Sequence, residues 1–391
     1  SRIFPLRGSA VLRSGWNEDD TVISLRAGPW FNHEHHDEGS FQVAAFGEKL
    51  IAEAGYSDYY TDPRYADYFT QAGGHNTVLI DHNPFSQGDY DGRYWAAFRS
   101  HPSVDRHLLS ANVDYLAADL STAYKGALQQ FIREYIFFKP GILIIRDRLS
   151  STDPHQYTWL LHAPPGTQTW VAENKATISG NRGAATVTTP NGDWSSAAQP
   201  IPVTAYREFG KERIFPRSAF VLNTPKETNQ TFLVGMQFLK AATGDSFINW
   251  KDERDRVDFD ARDGREEIHG SFRKTPGEEL SLGQFTTDGD SLSISQAATQ
   301  SDVLITRARK VRAAGRQLLS MTAPVDVTFH QTEDGLREFH FACSTNTTVT
   351  LASPKIVSTI LLDGKPVAAE YRNGTMTLPL LEGEHSAILQ P

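Results

Sequence analysis

Apolar residues in this chain come in short runs that are rich in β-branched and aromatic side chains and are separated by turn-forming residues. Clear examples are residues 41–50, 75–81, 142–147 and 231–239. Runs of this length and composition predict β-strands. No long stretch shows the 3.6-residue apolar period of a capped helix, although residues 63–70 are expected to form a short helical turn.

Two stretches predict β-hairpins. Residues 134–147 form two apolar runs around Pro140-Gly141, and a second pair of runs flanks Asp263-Gly264. Both dipeptides are turn formers. Because a single open sheet with many strands would leave one apolar face in water, two stacked antiparallel sheets are favoured. The predicted fold is all-β, with a large antiparallel β-sandwich over residues 1–306.

The pattern changes near residue 317. Compact alternating runs follow at 325–329, 338–342, 347–351 and 356–362, with a turn at Asp363-Gly364. This spacing predicts a smaller accessory β-domain over residues 317–391. The basic, alanine-containing residues 307–316 are predicted to connect it to the sandwich.

Composition narrows the function classes. The 391 residues are 39% hydrophobic and 22% charged, which is ordinary for a globular protein, and the net charge of −9 argues against nucleic acid as a partner. No run approaches the roughly 20 apolar residues that span a bilayer. The single cysteine, Cys343, excludes an internal disulfide and a cysteine-based zinc site, so histidine and carboxylate remain as metal ligands.

The N-terminal residues have neither an initiator methionine nor a signal-peptide pattern. We therefore expect that the chain has been cut, either by removal of a signal peptide or by excision from a longer polypeptide. The predicted location is the periplasm or the cell exterior, with the cytoplasm as the alternative.

The densest polar cluster is residues 32–37, where three of the 13 histidines fall within four positions. In an extended strand alternate side chains share a face, so His33, His35 and Asp37 would project one way and His36 the other. That spacing can bring two imidazoles to one cavity.

Two further residues of types that bind metal ions lie at the ends of neighbouring apolar runs. Glu53 follows one apolar run and His75 precedes another. Because paired strands lie about 4.8 Å apart, His35, Glu53 and His75 could meet around one ion, with water as the fourth ligand of a zinc site. The alternative is three separate surface or hydrogen-bonded side chains.

The order of these residues carries a resemblance. The succession resembles the signature of the heparinase II/III-like polysaccharide lyases over about the first 165 residues. The matching positions are His33-x-His35-x-Asp37-x-Gly39-Ser40-Phe41, Gly47, Glu53-x-Gly55, Tyr60-x-x-Pro63-x-Tyr65-x-x-Tyr68, His75-Asn76-Thr77, Arg133 to Pro140, and Trp159-Leu-Leu-His162.

The resemblance implies a sandwich that packs against an (α/α) toroid, which is absent from this chain, with a groove for an anionic polysaccharide between them. It implies that His33 is catalytic and that His35 and His75 bind a structural zinc near the active site. The third ligand is usually aspartate in that family, whereas this chain has Glu53 there. Asp37 is the alternative ligand.

The implied reaction is β-elimination of a uronic-acid polysaccharide. It requires neutralisation of the uronate carboxylate, removal of the adjacent proton and protonation of the leaving oxygen. The main tyrosine, with a partnering asparagine and histidine, comes from the toroid in that family, so this chain is expected to be inactive without a helical domain or partner chain.

The groove-side candidates of this chain come with simpler alternatives. Tyrosine rings can pack in a sheet interface, a histidine can be buried and hydrogen-bonded, and arginines can be solvated surface charges. The candidates are Tyr65 and Tyr68 as further catalytic residues and Arg64, Arg93 and His162 as substrate-binding residues.

Two other function classes stay open at this point. His35, His36 and Asp37 with His75 also fit the two-histidine, one-carboxylate triad of an iron oxygenase. A non-catalytic carbohydrate-binding sandwich is the other alternative. Metal analysis and activity measurements would distinguish the three.

Overall fold

The computed structural model describes most of the chain, and strands dominate it, which confirms the predicted all-β fold. The described residues are 1–29, 35–55, 64–88, 101–124, 126–196, 203–208, 211–216, 218–240, 248–264, 266–297, 300–332, 335–352, 359–367 and 370–390. The chain divides into two compact units. Unit 1 comprises Ser1–Asp105 and Asp114–Ser246, and unit 2 comprises Arg106–Val113 and Phe247–Pro391.

The strands up to residue 240 belong to unit 1, apart from the second half of β7 and the first residue of β8, which are counted with unit 2. They are β1 (Arg2–Phe4), β2 (Ser9–Arg13), β3 (Val22–Arg26), β4 (Phe41–Ala45), β5 (Glu48–Ile51), β6 (Val78–Ile80), β7 (Ser103–Leu109), β8 (Val113–Asp119), β9 (Gln130–Phe138), β10 (Ile142–His162), β11 (Gln168–Ala172), β12 (Lys175–Ser179), β13 (Gly183–Thr188), β14 (Ser195–Ser196), β15 (Val203–Glu208), β16 (Lys211–Pro216) and β17 (Ala219–Lys240).

Unit 1 contains two main antiparallel sheets. The smaller has the order β1-β2-β3-β4-β5. The larger runs β11-β12-β13-β17-β10-β9-β8, with β6 paired to β10 and β14 to β17. β15 and β16 form a separate two-stranded ribbon. The predicted hairpin at Pro140-Gly141 is confirmed, because β9 and β10 pair from Phe138 and Ile142 outward.

The two main sheets share a core. Phe41 of β4 lies with its ring centroid 6.1 Å from those of both Tyr135 on β9 and Trp159 on β10. In β4, buried and part-exposed positions alternate, as expected for a strand with one covered face. Most of β9 and the first part of β10 are buried at every position, because both faces of these central strands are covered.

Helical structure in the described residues is limited to single turns. They are Pro5–Arg7, Tyr65–Phe69, Ala72–Gly74 and Ser121–Tyr124. The second is a π-helical turn inside the predicted helical segment 63–70, of which residue 63 lies outside the described residues. No helix of the described residues is long and apolar enough to cross a membrane.

The strands after residue 247 belong to unit 2. They are β18 (Ile248–Asp252), β19 (Arg256–Asp263), β20 (Glu266–Arg273), β21 (Leu280–Leu282), β22 (Phe285–Thr287), β23 (Ser291–Ala297), β24 (Gln300–Ala313), β25 (Arg316–Thr332), β26 (Gly335–Cys343), β27 (Thr347–Ala352), β28 (Thr359–Leu362), β29 (Lys365–Val367), β30 (Glu370–Arg372), β31 (Thr375–Leu380) and β32 (Gly383–Gln390).

Unit 2 is also antiparallel and has its own core. Its main path is β18-β19-β20-β23-β24-β25-β26-β32-β28-β29. Phe329, Phe339 and Phe341 pack ring to ring within the core, with successive centroids 5.6 and 6.0 Å apart. The predicted turns at Asp263-Gly264 and Asp363-Gly364 are confirmed as the hairpins β19-β20 and β28-β29.

The compact units divide the chain near residue 246, and not at the predicted connector. Residues 307–316 lie in and between β24 and β25, which pair as a hairpin across that segment. The segment alternates between buried positions such as Ala308 and Val311 and exposed basic side chains. Basic and small residues occur both in linkers and in strands that have one solvated face. The composition of residues 307–316 therefore does not distinguish a connector from a strand.

Candidate functional site

Three segments of unit 1 meet beside the two sheets. They are the loop 35–40 before β4, the residues after β5 that include Glu53, and the turn 75–77 before β6. Ser40 links them: its hydroxyl donates to Glu53 Oε1 at 2.7 Å and accepts from the backbone N–H of Asn76 at 3.0 Å. The predicted meeting of these segments is therefore present.

The route by which they meet differs from the predicted one. Residues 35–40 are a loop and not a strand, with Ser40 N donating to the Asp37 carbonyl across a tight turn. β6 pairs with β10 in the larger sheet, whereas β4 and β5 belong to the smaller sheet. The side chains thus converge from two sheets and a loop, and not from three paired strands.

Asn76 joins these segments from the inside. Its side-chain N–H groups donate to the carbonyls of Phe41 and Ala52, both at 2.8 Å, and its Oδ1 accepts from the backbone N–H of His162 at 2.8 Å. Asn76 is fully buried. One side chain therefore connects β4, the end of β5 and β10 at the floor of the site.

His75 and Glu53 form the central pair. His75 Nδ1 lies 3.0 Å from Glu53 Oε1, and the His75 side chain is 1% exposed. Gln42 donates to the other carboxylate oxygen of Glu53 at 3.2 Å. His75 Nε2 is buried and has no hydrogen-bond partner among the described residues.

The electrostatics of the metal-free pair favour opposite charges. Burial opposes the charged form of Glu53, but the charge and hydrogen bond of His75 outweigh it and lower the pKa of Glu53 to about 2. Burial also opposes protonation of His75, but Glu53 outweighs it and raises the pKa of His75. Without a metal, the two groups form an ion pair in which His75 is buried and Glu53 is 24% exposed.

His35 lies next to this pair. Its ring centroid is 5.3 Å from that of His75. Burial, with the positive charge of His75 as a further cause, lowers the pKa of His35 to about 4. His35 is therefore a neutral imidazole at ordinary pH, which is the form that binds metal ions.

The other acidic and histidine candidates of the loop take different partners. His36 Nδ1 lies 2.9 Å from Gln71 Oε1. Burial raises the pKa of Asp37 to about 6, and the charge of His75 acts against this shift. The contact with Gln71 gives no support to an oxygenase triad that includes His36, whereas a triad of His35, His75 and Asp37 stays an alternative.

The donor set can be compared with what zinc requires. Neighbouring ligand atoms around tetrahedral zinc are about 3.3 Å apart, given bonds of about 2.0–2.1 Å, and His75 Nδ1 and Glu53 Oε1 are 3.0 Å apart. However, the described residues contain no group of three His, Cys, Asp or Glu side chains in a geometry that could hold a metal ion. Two donors are in place, and His35 is their neighbour.

The predicted groove residues have mixed placements. Arg64 and Tyr65 are partly exposed at the start of the π-helical turn. Tyr68 and His162 are buried, with 3.5 Å between the Tyr68 hydroxyl and His162 Nε2. His162 Nδ1 lies 3.1 Å from Asn76 Oδ1, which matches the alternative of a buried, hydrogen-bonded histidine. Their predicted contact with substrate stays a prediction.

Two predicted residues, His33 and Arg93, lie outside the described residues, so their catalytic and substrate-binding roles stay predictions. Three supporting residues were not given roles from the sequence, namely Ser40, Gln42 and Asn76. The signal for Asn76 was its position between His75 and Thr77 immediately before a buried strand. Nothing in the sequence indicates which atoms Asn76 would bond.

Comparisons with known proteins give a consistent result. Residues 2–247 match the family described as "Heparinase II/III-like, C-terminal". A search of curated protein sequences finds no match.

Several solved structures share the fold at low sequence identity. The chain is similar to a heparan sulfate lyase from Pedobacter heparinus, with a TM-score of 0.54, 16% identity, and coverage of 65% of this chain and 39% of that one. It is similar to a heparinase III, with a TM-score of 0.53, 16% identity, and coverage of 69% and 42%. A chondroitin AC lyase from Streptomyces coelicolor A3, in complex with chondroitin sulphate, gives a TM-score of 0.51, 12% identity, and coverage of 98% and 49%. The chain thus spans between about two fifths and one half of these proteins.

Proposed function

Because this chain belongs to the heparinase II/III-like C-terminal family, we propose that it is the β-sandwich part of a polysaccharide lyase that cleaves uronic-acid-containing polysaccharide by β-elimination. The family match over residues 2–247 is the observation that carries the proposal. Structural similarity to heparan sulfate and chondroitin lyases supports the same class of anionic substrate. The proposed task of this part of the enzyme is to hold a metal ion at the site around His75.

We assign zinc to the side chains of His35, Glu53 and His75. Two imidazoles and a carboxylate are a common ligand set for that ion. The pairing of His75 Nδ1 with Glu53 at 3.0 Å and the neighbouring ring of His35 support the assignment. When bound, zinc would supply a fixed positive charge that ties the loop 35–40 to the two other segments. If Glu53 stays hydrogen-bonded to His75 and does not bind the ion, Asp37 is the proposed carboxylate ligand in its place.

The chain's own residues have proposed roles in the reaction. His33 precedes His35 by two positions, so a loop anchored at His35 would hold His33 at the groove. There His33 would move the proton beside the uronate carboxylate or protonate the leaving oxygen. Tyr65, which is partly exposed, is the further candidate for proton transfer. Arg64 could pair with the substrate carboxylate.

The proposal includes a helical toroid as a domain or partner chain that supplies the other wall of the groove. The structures that the chain matches are more than twice as long as the matched part. Subsite residues that select the polysaccharide would then belong largely to that helical part. The alternative of a non-catalytic carbohydrate-binding sandwich predicts binding without cleavage.

The metal assignment is tested by dialysing the protein against a chelator, adding zinc ions, and measuring bound metal and affinity. We expect one zinc per chain. His75→Gln and Glu53→Gln should weaken binding by more than about 100-fold, since loss of outer-shell partners alone typically costs 10–100-fold. His155→Gln is the matched control, because His155 forms a similar pair with Asp81 at 2.7 Å, away from the site. Iron in place of zinc in the protein before dialysis would favour the oxygenase.

The reaction is tested in the longest polypeptide that contains this chain, or in this chain together with its helical partner. Cleavage of uronate polysaccharides should produce unsaturated uronate ends that absorb in the ultraviolet. His33→Ala should abolish the increase, whereas His155→Gln should leave it unchanged. Binding of polysaccharide with no absorbance increase on any uronate polymer would support the non-catalytic alternative.

A further inference from the structure

A buried arginine lies beneath the loops of the candidate site. Arg133, on β9, is fully buried. Its guanidinium forms a two-pronged ion pair with Asp147 on β10, through Nε to Oδ1 at 2.7 Å and Nη2 to Oδ2 at 2.6 Å. The indole N–H of Trp159 donates to the same carboxylate at 2.7 Å. Asp147 thus fixes the plane of the guanidinium.

The third nitrogen of Arg133 points to the loops. Nη1 donates to the carbonyl of Gly39 at 2.6 Å and to the carbonyl of Asn76 at 2.8 Å. Gly39 follows His35 by four residues, and Asn76 follows His75 directly. The hydroxyl of Tyr135, two residues along β9, also donates to the Gly39 carbonyl at 2.9 Å. One nitrogen atom therefore bridges the two segments that carry the histidines.

We propose that Arg133 is a positioning residue, which fixes the loop 35–40 and the turn 75–77 relative to each other, while Asp147 orients its guanidinium. The inference rests on the proposed function, because it takes His35 and His75 as metal ligands. Only arginine supplies this geometry. A planar fork can hold a carboxylate with two nitrogens and reach two carbonyls with the third, whereas lysine offers one compact point of donation.

A second ion pair on the same strands provides a matched control. Glu134 and Arg146 are cross-strand partners on β9 and β10, directly next to the Arg133 and Asp147 partners. Arg146 Nε lies 2.5 Å from Glu134 Oε2, and both side chains are buried. Adjacent residues of a strand point to opposite faces, so this second pair faces away from Gly39 and Asn76.

The decisive experiment compares neutral replacements of the two pairs in the full chain. Arg133→Met with Asp147→Asn avoids a lone buried charge, which would be strongly destabilising, and keeps an acceptor for Trp159. Arg146→Met with Glu134→Gln is the control. Hydrogen exchange is measured by mass spectrometry on peptides that cover residues 35–41 and 74–78, without added metal.

We expect exchange in both peptides to accelerate about tenfold or more in the Arg133/Asp147 variant and to stay at the wild-type level in the control. Equal acceleration in both variants would mean that the Arg133–Asp147 pair only stabilises the sandwich. No acceleration would mean that the loop 35–40 and the turn 75–77 keep their positions without Arg133. Either result overturns the inference.

Arg133→Lys keeps the charge and serves if the neutral variant does not fold. It should also accelerate exchange in both peptides, and wild-type exchange would contradict the need for a planar fork. Zinc titration of the same proteins tests the metal assignment separately from the positioning role of Arg133. Failure of the wild type to bind zinc removes the metal assignment, and the exchange comparison still decides whether Arg133 positions the loops. If zinc binds, Arg133→Lys should weaken it about tenfold or more, with the control pair unchanged.

Discussion

Replacement of Asn76 by alanine tests whether the three segments of the site are held together by one buried amide. The substitution removes two donors and one acceptor in a single step. The carbonyls of Phe41 and Ala52 each lose a donor at 2.8 Å, and the backbone N–H of His162 loses its acceptor at 2.8 Å. Asn76 is 0% exposed, so bulk water does not replace these contacts directly.

The expected loss follows from these three contacts. A buried backbone group that loses its partner costs about 1–3 kcal/mol. A water molecule that enters the small space left by the amide can recover part of this cost. We therefore expect unit 1 to lose about 3–5 kcal/mol of unfolding free energy, which is at the upper end for a single substitution.

Because the chain has two compact units, a single global transition is not a safe measure. Native-state hydrogen exchange of peptides from β9 and β10 reports the opening free energy of unit 1 alone. The control is Asn174→Ala, which removes one part-buried hydrogen bond of an exposed residue, from Nδ2 to the Thr189 carbonyl at 3.2 Å. That change should cost less than about 0.5 kcal/mol. A loss below about 1 kcal/mol for Asn76→Ala would refute the bridging role.

Further predictions concern charge, backbone and burial. In metal-free protein, Glu53 raises the pKa of His75 above 6.5 and His75 lowers that of Glu53 from 4.5 to about 2, in both cases against the effect of burial. The stability due to His75 is lost as pH rises above 6.5, and that due to Glu53 is lost as pH falls below 4.5. The difference in unfolding free energy between wild type and Glu53→Gln should therefore be largest between these values, and a pH-independent difference would contradict the ion pair. Gly39→Ala should lower the opening free energy of unit 1, measured by the same hydrogen exchange, by about 2–4 kcal/mol, because φ is +81° and the added Cβ would lie 2.5 Å from a leucine methyl group. Gly126→Ala, at φ +82° in open space, should cost only about 1–2 kcal/mol. Burial raises the pKa of Cys343 to about 11, so a thiol reagent at pH 8 should react with it only after unfolding, and rapid reaction of the native protein would show that it is accessible.

The strand content and the hairpins could be predicted from the sequence, because both are local. Pro140-Gly141 and Asp263-Gly264 lie between apolar runs of strand length, and turn chemistry with flanking periodicity specifies a hairpin without reference to the rest of the chain. The order of His35, Glu53 and His75 along the chain also indicated the family.

Other features were decided only by tertiary structure, because they depend on contacts between residues far apart in sequence. The sequence predicted that Glu53 and His75 would meet on paired strands, whereas β6 joined the larger sheet and β5 the smaller one. The alternating basic stretch 307–316 fits both a linker and a half-exposed strand, and pairing with β25 decided in favour of the strand.

The supporting contacts of the site show the same limit. The bonds of Arg133 to carbonyls 94 and 57 residues away exist only because the strands and loops are packed together. A backbone carbonyl has no residue-specific signature in the sequence, so the partners of a buried guanidinium or amide are fixed by the packed structure alone. The sequence by itself thus determined which local elements form and which side chains could bind a metal, and the tertiary structure decided which of them meet.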